Sequence, residues 1–103
     1  MELTREFFLG FIKLHILHHA TQEPVCGVDL AAELGRHGYE LSPGTLYPTL
    51  HALERAGYLA HQDRIVNRRR RKYYLATPAG RDALERGKAQ ARELTREILD
   101  EIE

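Results

Sequence analysis

Tryptophan is absent from this chain of 103 residues, and cysteine and methionine occur once each. With Cys26 alone, no internal disulfide can form, and a reducing, cytoplasmic setting is the expectation. No apolar run approaches the ~18 residues that a membrane span requires. Glu2 and Glu6 interrupt the apolar N-terminus, which also lacks a small-residue cleavage site, so a signal peptide is not expected. Internal repeats, low-complexity tracts and linkers are missing as well. Hydrophobic residues at 43% and charged residues at 29% describe an ordinary globular domain. Net charge is also lacking, since 15 Lys and Arg balance 15 Asp and Glu. Taken whole, that balance argues against a nucleic-acid partner, for which a basic domain is the usual footprint.

The distribution of charge reverses that argument. Residues 1–41 carry a net −3, residues 42–80 a net +5 and residues 81–103 a net −2. Most of the positive charge lies in Arg68-Arg69-Arg70-Arg71-Lys72. Adjacent cations repel one another, so such a run is not kept for stability. Each cation can neutralise a backbone phosphate and release a counterion, and arginine also suits narrow minor grooves.

Spacing predicts the elements around that run. Leu3, Phe7, Phe8, Phe11, Ile12, Leu14 and Leu17 recur at helical intervals and predict a first helix over about residues 3–19. Thr21–Gly27 reads as a connection, and Val28, Leu30, Ala31 and Leu34 as a short second helix ending near Gly35–Gly38. Ser42 followed by Pro43 is a strong helix start, Leu46, Leu50 and Leu53 mark one face, and Gly57 is placed as a C-cap. Pro48 removes a donor inside that third helix and predicts some irregularity. Tyr58–His61 and Lys72–Ala76 are β-prone runs, with Arg64–Arg71 expected as the hairpin tip between them. Thr77-Pro78 opens a last helix on which Leu84, Ala91, Leu94, Ile98 and Ile102 share a face. Gly80 and Gly87 should each weaken it by ~1 kcal/mol relative to alanine.

The expected architecture is therefore mainly α with a small β-hairpin (α+β). A winged helix-turn-helix over residues 1–77 is followed by a long C-terminal dimerisation helix over 78–103. A recognition helix meets a major groove with its early residues. That singles out Ser42, Gly44, Thr45, Tyr47, Pro48, Thr49 and His51, with Asn67, Arg68, Arg69, Arg70, Arg71, Lys72 and Tyr73 as the wing contribution. The apolar seam of the last helix lacks a partner within so small a domain. Leu3, Phe7, Phe8, Leu84, Ala91, Leu94, Ile98 and Ile102 are accordingly expected in a two-fold interface.

His15 and His19 have a spacing that zinc can use. With no intervening glutamate and no cysteine or carboxylate cluster nearby, neither a metal site nor a cofactor is assigned. Cys26 has no resolving partner and is expected to be inert packing. No nucleophile, base and orienting group can be assembled, so no enzymatic activity is expected.

Gly44-Thr45-Leu46-Tyr47-Pro48, preceded by Gly38-Tyr39-Glu40-Leu41-Ser42-Pro43, resembles the signature of PadR-family transcriptional regulators. Leu50-His51-Ala52-Leu53-Glu54-Arg55-Ala56-Gly57-Tyr58-Leu59 is similar to the family's passage into its first wing strand. Arg69-Arg70-Arg71-Lys72-Tyr73-Tyr74 and Thr77-Pro78-Ala79-Gly80 resemble its wing and the start of its last helix. The likeness spans about Leu9 to Leu84. It implies a repressor that binds double-stranded DNA at inverted repeats as a homodimer, in the short branch with one helix after the wing. A small aromatic effector is a further expectation. Cys26 departs from the aromatic residue common at its position, and Ala76 from a larger aliphatic. A winged-helix module that binds protein and not DNA is the alternative, favoured by the neutral total charge and disfavoured by the basic wing.

Overall fold

The computed structural model describes residues 1–99, leaving Ile102 of the expected interface outside the described residues. Its elements run α1 (Leu3–Gln22), β1 (Val25–Cys26), α2 (Gly27–Arg36), α3 (Pro43–Arg55), β2 (Leu59–Val66), β3 (Arg69–Ala76) and α4 (Pro78–Ile98). The sheet is antiparallel in the order β1-β3-β2, so it has three strands where a two-stranded hairpin was expected. The added strand is two residues long, Val25 opposite Tyr74 and Cys26 opposite Tyr73. Two residues carry no alternation, which is why they read as a connection.

The core lies where the helices meet the inner face of the sheet. Ile12 and Ile16 of α1, Leu30 and Leu34 of α2 and Leu50 of α3 are fully buried beside Tyr74 of β3. Each buried aliphatic side chain contributes about 1.5–3 kcal/mol relative to exposure. Leu84 of α4 is only 5% exposed and belongs to this core. That corrects its assignment to a subunit interface, because its own chain already covers it. Phe8 likewise packs against the core, edge-on to Tyr39 at 5.6 Å. By contrast Leu3, Phe7 and Phe11 are 47–58% exposed, so α1 splits its apolar residues between the core and a second, uncovered face.

Both helices of the helix-turn-helix end in the same way. Gly38 and Gly57 each hold φ +89°. The N–H of the tyrosine that follows reaches back to the helix, Tyr39 to the Leu34 carbonyl at 3.1 Å and Tyr58 to the Leu53 carbonyl at 2.9 Å. This is the Schellman closure, which needs a residue free to adopt the left-handed region.

The start of α4 is fastened to the end of α3. The Thr77 hydroxyl accepts from the Gly80 N–H at 3.0 Å, capping α4, and donates to the Gly57 carbonyl at 2.6 Å. The Thr77 N–H donates to the Tyr58 carbonyl at 3.1 Å. A Cβ at Gly80 would stand 2.1 Å from the Tyr58 carbonyl oxygen, so the helix-weakening glycine of the sequence reading is required by this junction.

Candidate nucleic-acid interface

Pro43 at the first helical position has no N–H to leave unsatisfied. The Ser42 carbonyl accepts from both Thr45 and Leu46, at 3.0 and 2.9 Å, which tightens the first turn. The Ser42 hydroxyl makes no capping bond to the backbone and donates instead to Thr45 Oγ1 at 3.4 Å. Gly44 therefore presents its N–H at the positive end of the helix. Pro48 cannot donate to the Gly44 carbonyl, yet α3 runs unbroken through it. The irregularity expected there is confined to a free acceptor and the tight first turn.

Ser42, Gly44, Tyr47, Pro48 and His51 form the exposed face of α3. Thr45 and Thr49 sit half-buried beside it, and the Thr49 hydroxyl donates to the Thr45 carbonyl at 2.7 Å, turned back onto its own helix. Tyr47 is 37% exposed and leans on the start of α2. A Cβ at Gly27 would come within 2.7 Å of its ring, so only glycine permits that approach. Tyr47 is thus a strut between α3 and α2 as well as a surface group.

The wing differs from its expected form. Strands β2 and β3 pair along their whole length, from Leu59 opposite Ala76 to Val66 opposite Arg69. The tip is only Asn67 and Arg68, at φ +52° and +66°, the backbone of a tight two-residue hairpin turn. Arg69, Arg70, Arg71 and Lys72 consequently lie on a strand and not in a loop. Successive strand residues face opposite ways. Arg70 and Lys72 share the face of buried Tyr74, while Arg69 and Arg71 share that of Tyr73. Arg71 stands opposite Arg64, a pairing of like charges that costs stability. The Arg64 guanidinium is drawn over the Tyr73 ring, 4.5 Å from its centroid. Arg68–Lys72 take no part in the ion pairs found among the described residues, which lie on α2, on α4 and around His61.

The two halves meet in an open groove of about 470 Å³ lined by Val28, Tyr47, His51, Arg70, Lys72 and Tyr74, among others. Burial, followed by the nearby Glu54 and Tyr47, pushes the Tyr74 phenol above its ordinary range, so it stays protonated. Val28 lies on α2, the short second helix expected there, and is 60% exposed at the groove. No spacing marks it for the groove, because only the β1–β3 pairing turns the start of α2 toward the wing.

Of the residues expected at a subunit interface, Leu3, Phe7, Leu94 and Ile98 are 49–58% exposed and Ala91 is half-buried. Phe7, Phe11, Leu14, Leu17, Ala91 and Leu94 border an apolar groove of about 410 Å³ between α1 and α4. No helix among the described residues is long and apolar enough to cross a membrane.

Residues 16–86 match the model of the transcriptional regulator PadR-like family. Transcriptional regulator Rv3488 of Mycobacterium tuberculosis is 54% identical over 95 residues, covering 92% of this chain and 89% of that protein. Among solved structures, a PadR family transcriptional regulator from Eggerthella lenta superposes with a TM-score of 0.84 at 30% identity, over 98% of this chain and 89% of that one. A PadR-like transcription factor from Bacteroides fragilis gives a TM-score of 0.84 at 25% identity over the whole of both chains.

Proposed function

The chain belongs to the PadR-like family of transcriptional regulators, and on that premise we propose that it is a repressor that binds inverted-repeat operators in double-stranded DNA as a homodimer. The observation that carries this reading is the shared groove. Tyr47 and His51 of α3 and a strand of cations, Arg69–Lys72, that take no part in the ion pairs found among the described residues line one concave surface. Gly44 N–H, the Ser42 hydroxyl and Arg69–Lys72 would hold phosphates and set the register. Tyr47 and His51, the α3 residues that line the groove, would contact base edges.

Dimerisation uses the uncovered apolar residues of the first and last helices, Leu3, Phe7 and Phe11 of α1 with Leu94 and Ile98 of α4. A standard interface buries about 800 Å² per partner. A two-fold axis through α4 places two copies of α3 to read successive major grooves ~34–36 Å apart. The apolar groove between α1 and α4 is a seat for a small aromatic effector. Such a ligand releases DNA only if it favours one spacing of the two α3 helices over another.

Fluorescence anisotropy with an inverted-repeat duplex from upstream of its own gene tests the reading. Two chains per duplex, with affinity lost on a single half-site, are expected. Equal binding to full and half sites would contradict the dimeric operator. No binding at low salt would favour the protein-binding alternative.

A further inference from the structure

Away from the DNA-facing groove, three imidazoles converge from two helices. His15 and His19 stand one turn apart on α1, and His37 is the C-cap residue of α2. Ring nitrogens of all three lie within 4.8 Å of one another. The His37 ring centroid is 5.2 Å from that of His15 and 6.4 Å from that of His19. His15 and His19 lie nearly parallel, 6.3 Å apart. His19 Nε2 is buried with no hydrogen-bond partner among the described residues. Leaving such a group unsatisfied costs about 1–3 kcal/mol, and folded proteins seldom tolerate it without a reason.

We infer that His15, His19 and His37 bind a divalent first-row transition ion of the zinc class, joining α1 to the C-terminal end of α2. All three ligands are imidazoles, a donor set that suits zinc, nickel or copper and not magnesium or calcium. Nitrogens around a tetrahedral zinc at ~2.1 Å stand roughly 3.4 Å apart, so rings whose nitrogens lie within 4.8 Å of one another must draw in by up to about 1.4 Å. His37 can supply that movement, being exposed and at the helix boundary. Three protein ligands leave a fourth position for water or a small anion. Arg36, on the border of the neighbouring pocket with His19, is ion-paired to Glu33, which tempers its repulsion of a cation.

Sequence spacing pairs only His15 with His19. The third ligand comes from a turn 18 residues further on, and folding alone brings it near. His37 also opens the connection to α3, so a bound ion would stiffen the turn of the helix-turn-helix.

The test is a Zn²⁺ titration of the full chain, free of any polyhistidine tag and of DNA, against a chromophoric chelator. One ion per chain is expected. Loss of an outer-shell partner alone lowers metal affinity ~10–100-fold, so H37A should weaken binding by roughly a hundredfold or more. H37A changes an exposed residue and should fold normally, whereas H18A, outside the trio, should bind as wild type does. Zn²⁺ should raise the melting temperature of the wild type and leave that of H37A unmoved. Absence of saturable one-to-one binding, or equal affinity in wild type and H37A, would overturn the site. Neither result bears on DNA recognition.

Discussion

Arg68 is held at φ +66°, where a non-glycine residue is disfavoured by roughly 1–2 kcal/mol. Asn67 beside it is a residue that accepts this backbone; arginine is not. The position therefore trades hairpin stability for a cation at the wing tip. Arg68→Gly should raise stability by about 1 kcal/mol while lowering DNA affinity, and Arg68→Ala should lower affinity with no gain in stability. Denaturant midpoints and anisotropy on the same samples separate the two effects. At Gly80 the clash is with a backbone oxygen, Tyr58 O, which cannot swing aside. Gly80→Ala should accordingly cost about 1–3 kcal/mol, despite alanine's better helix propensity, and thermal unfolding reads it directly.

At the level of elements, α3 was legible almost to the residue. Its start signal, leucine spacing and terminal glycine are local chemistry, and local chemistry is what a sequence displays. The wing was not legible in its extent. Arginine in series reads as loop, yet pairing of β3 with β2 draws Arg69–Arg71 into a strand, opposite Val66, Ile65 and Arg64. Strand β1 and the triad completed by His37 depend wholly on distant partners. So does the division of α1 into a core face and an open one, which 3.6-residue periodicity shows only as a broad apolar girth.

The seam between α1 and α2 has its own pH signature in metal-free protein. Burial first, then neighbouring histidines, holds His15 and His19 below the ordinary value of 6.5; Arg36 adds to the effect at His19. Below about pH 6.5 the unfolded chain thus binds protons that the folded one refuses. Stability is full above that pH and declines as acidity increases. Urea midpoints in the presence of a chelator should fall between pH 7.5 and 5.5. A flat profile would contradict the packing described for these rings.

On the scale of the whole molecule, the two ends of the chain leave apolar residues open while the middle carries the charge. Thr77 bolts the start of α4 to the end of α3, which in the proposed dimer would pass a change in how two α4 helices meet to the α3 helices. Leu94→Glu should disrupt the paired state, converting the sedimentation profile at micromolar concentration to that of a single chain. DNA affinity should fall with it, because one recognition helix cannot span two half-sites.

The salt dependence of operator affinity bears most directly on the interface. Each phosphate neutralised on duplex DNA contributes about −0.9 to the slope of log K against log salt. The wild type should show a steep negative slope, and a chain with Arg68, Arg69, Arg70 and Arg71 replaced by alanine should be weaker and shallower by several units. Parallel lines for the two proteins, or undiminished affinity of the variant at ~200 mM salt, would contradict a wing that grips the DNA backbone.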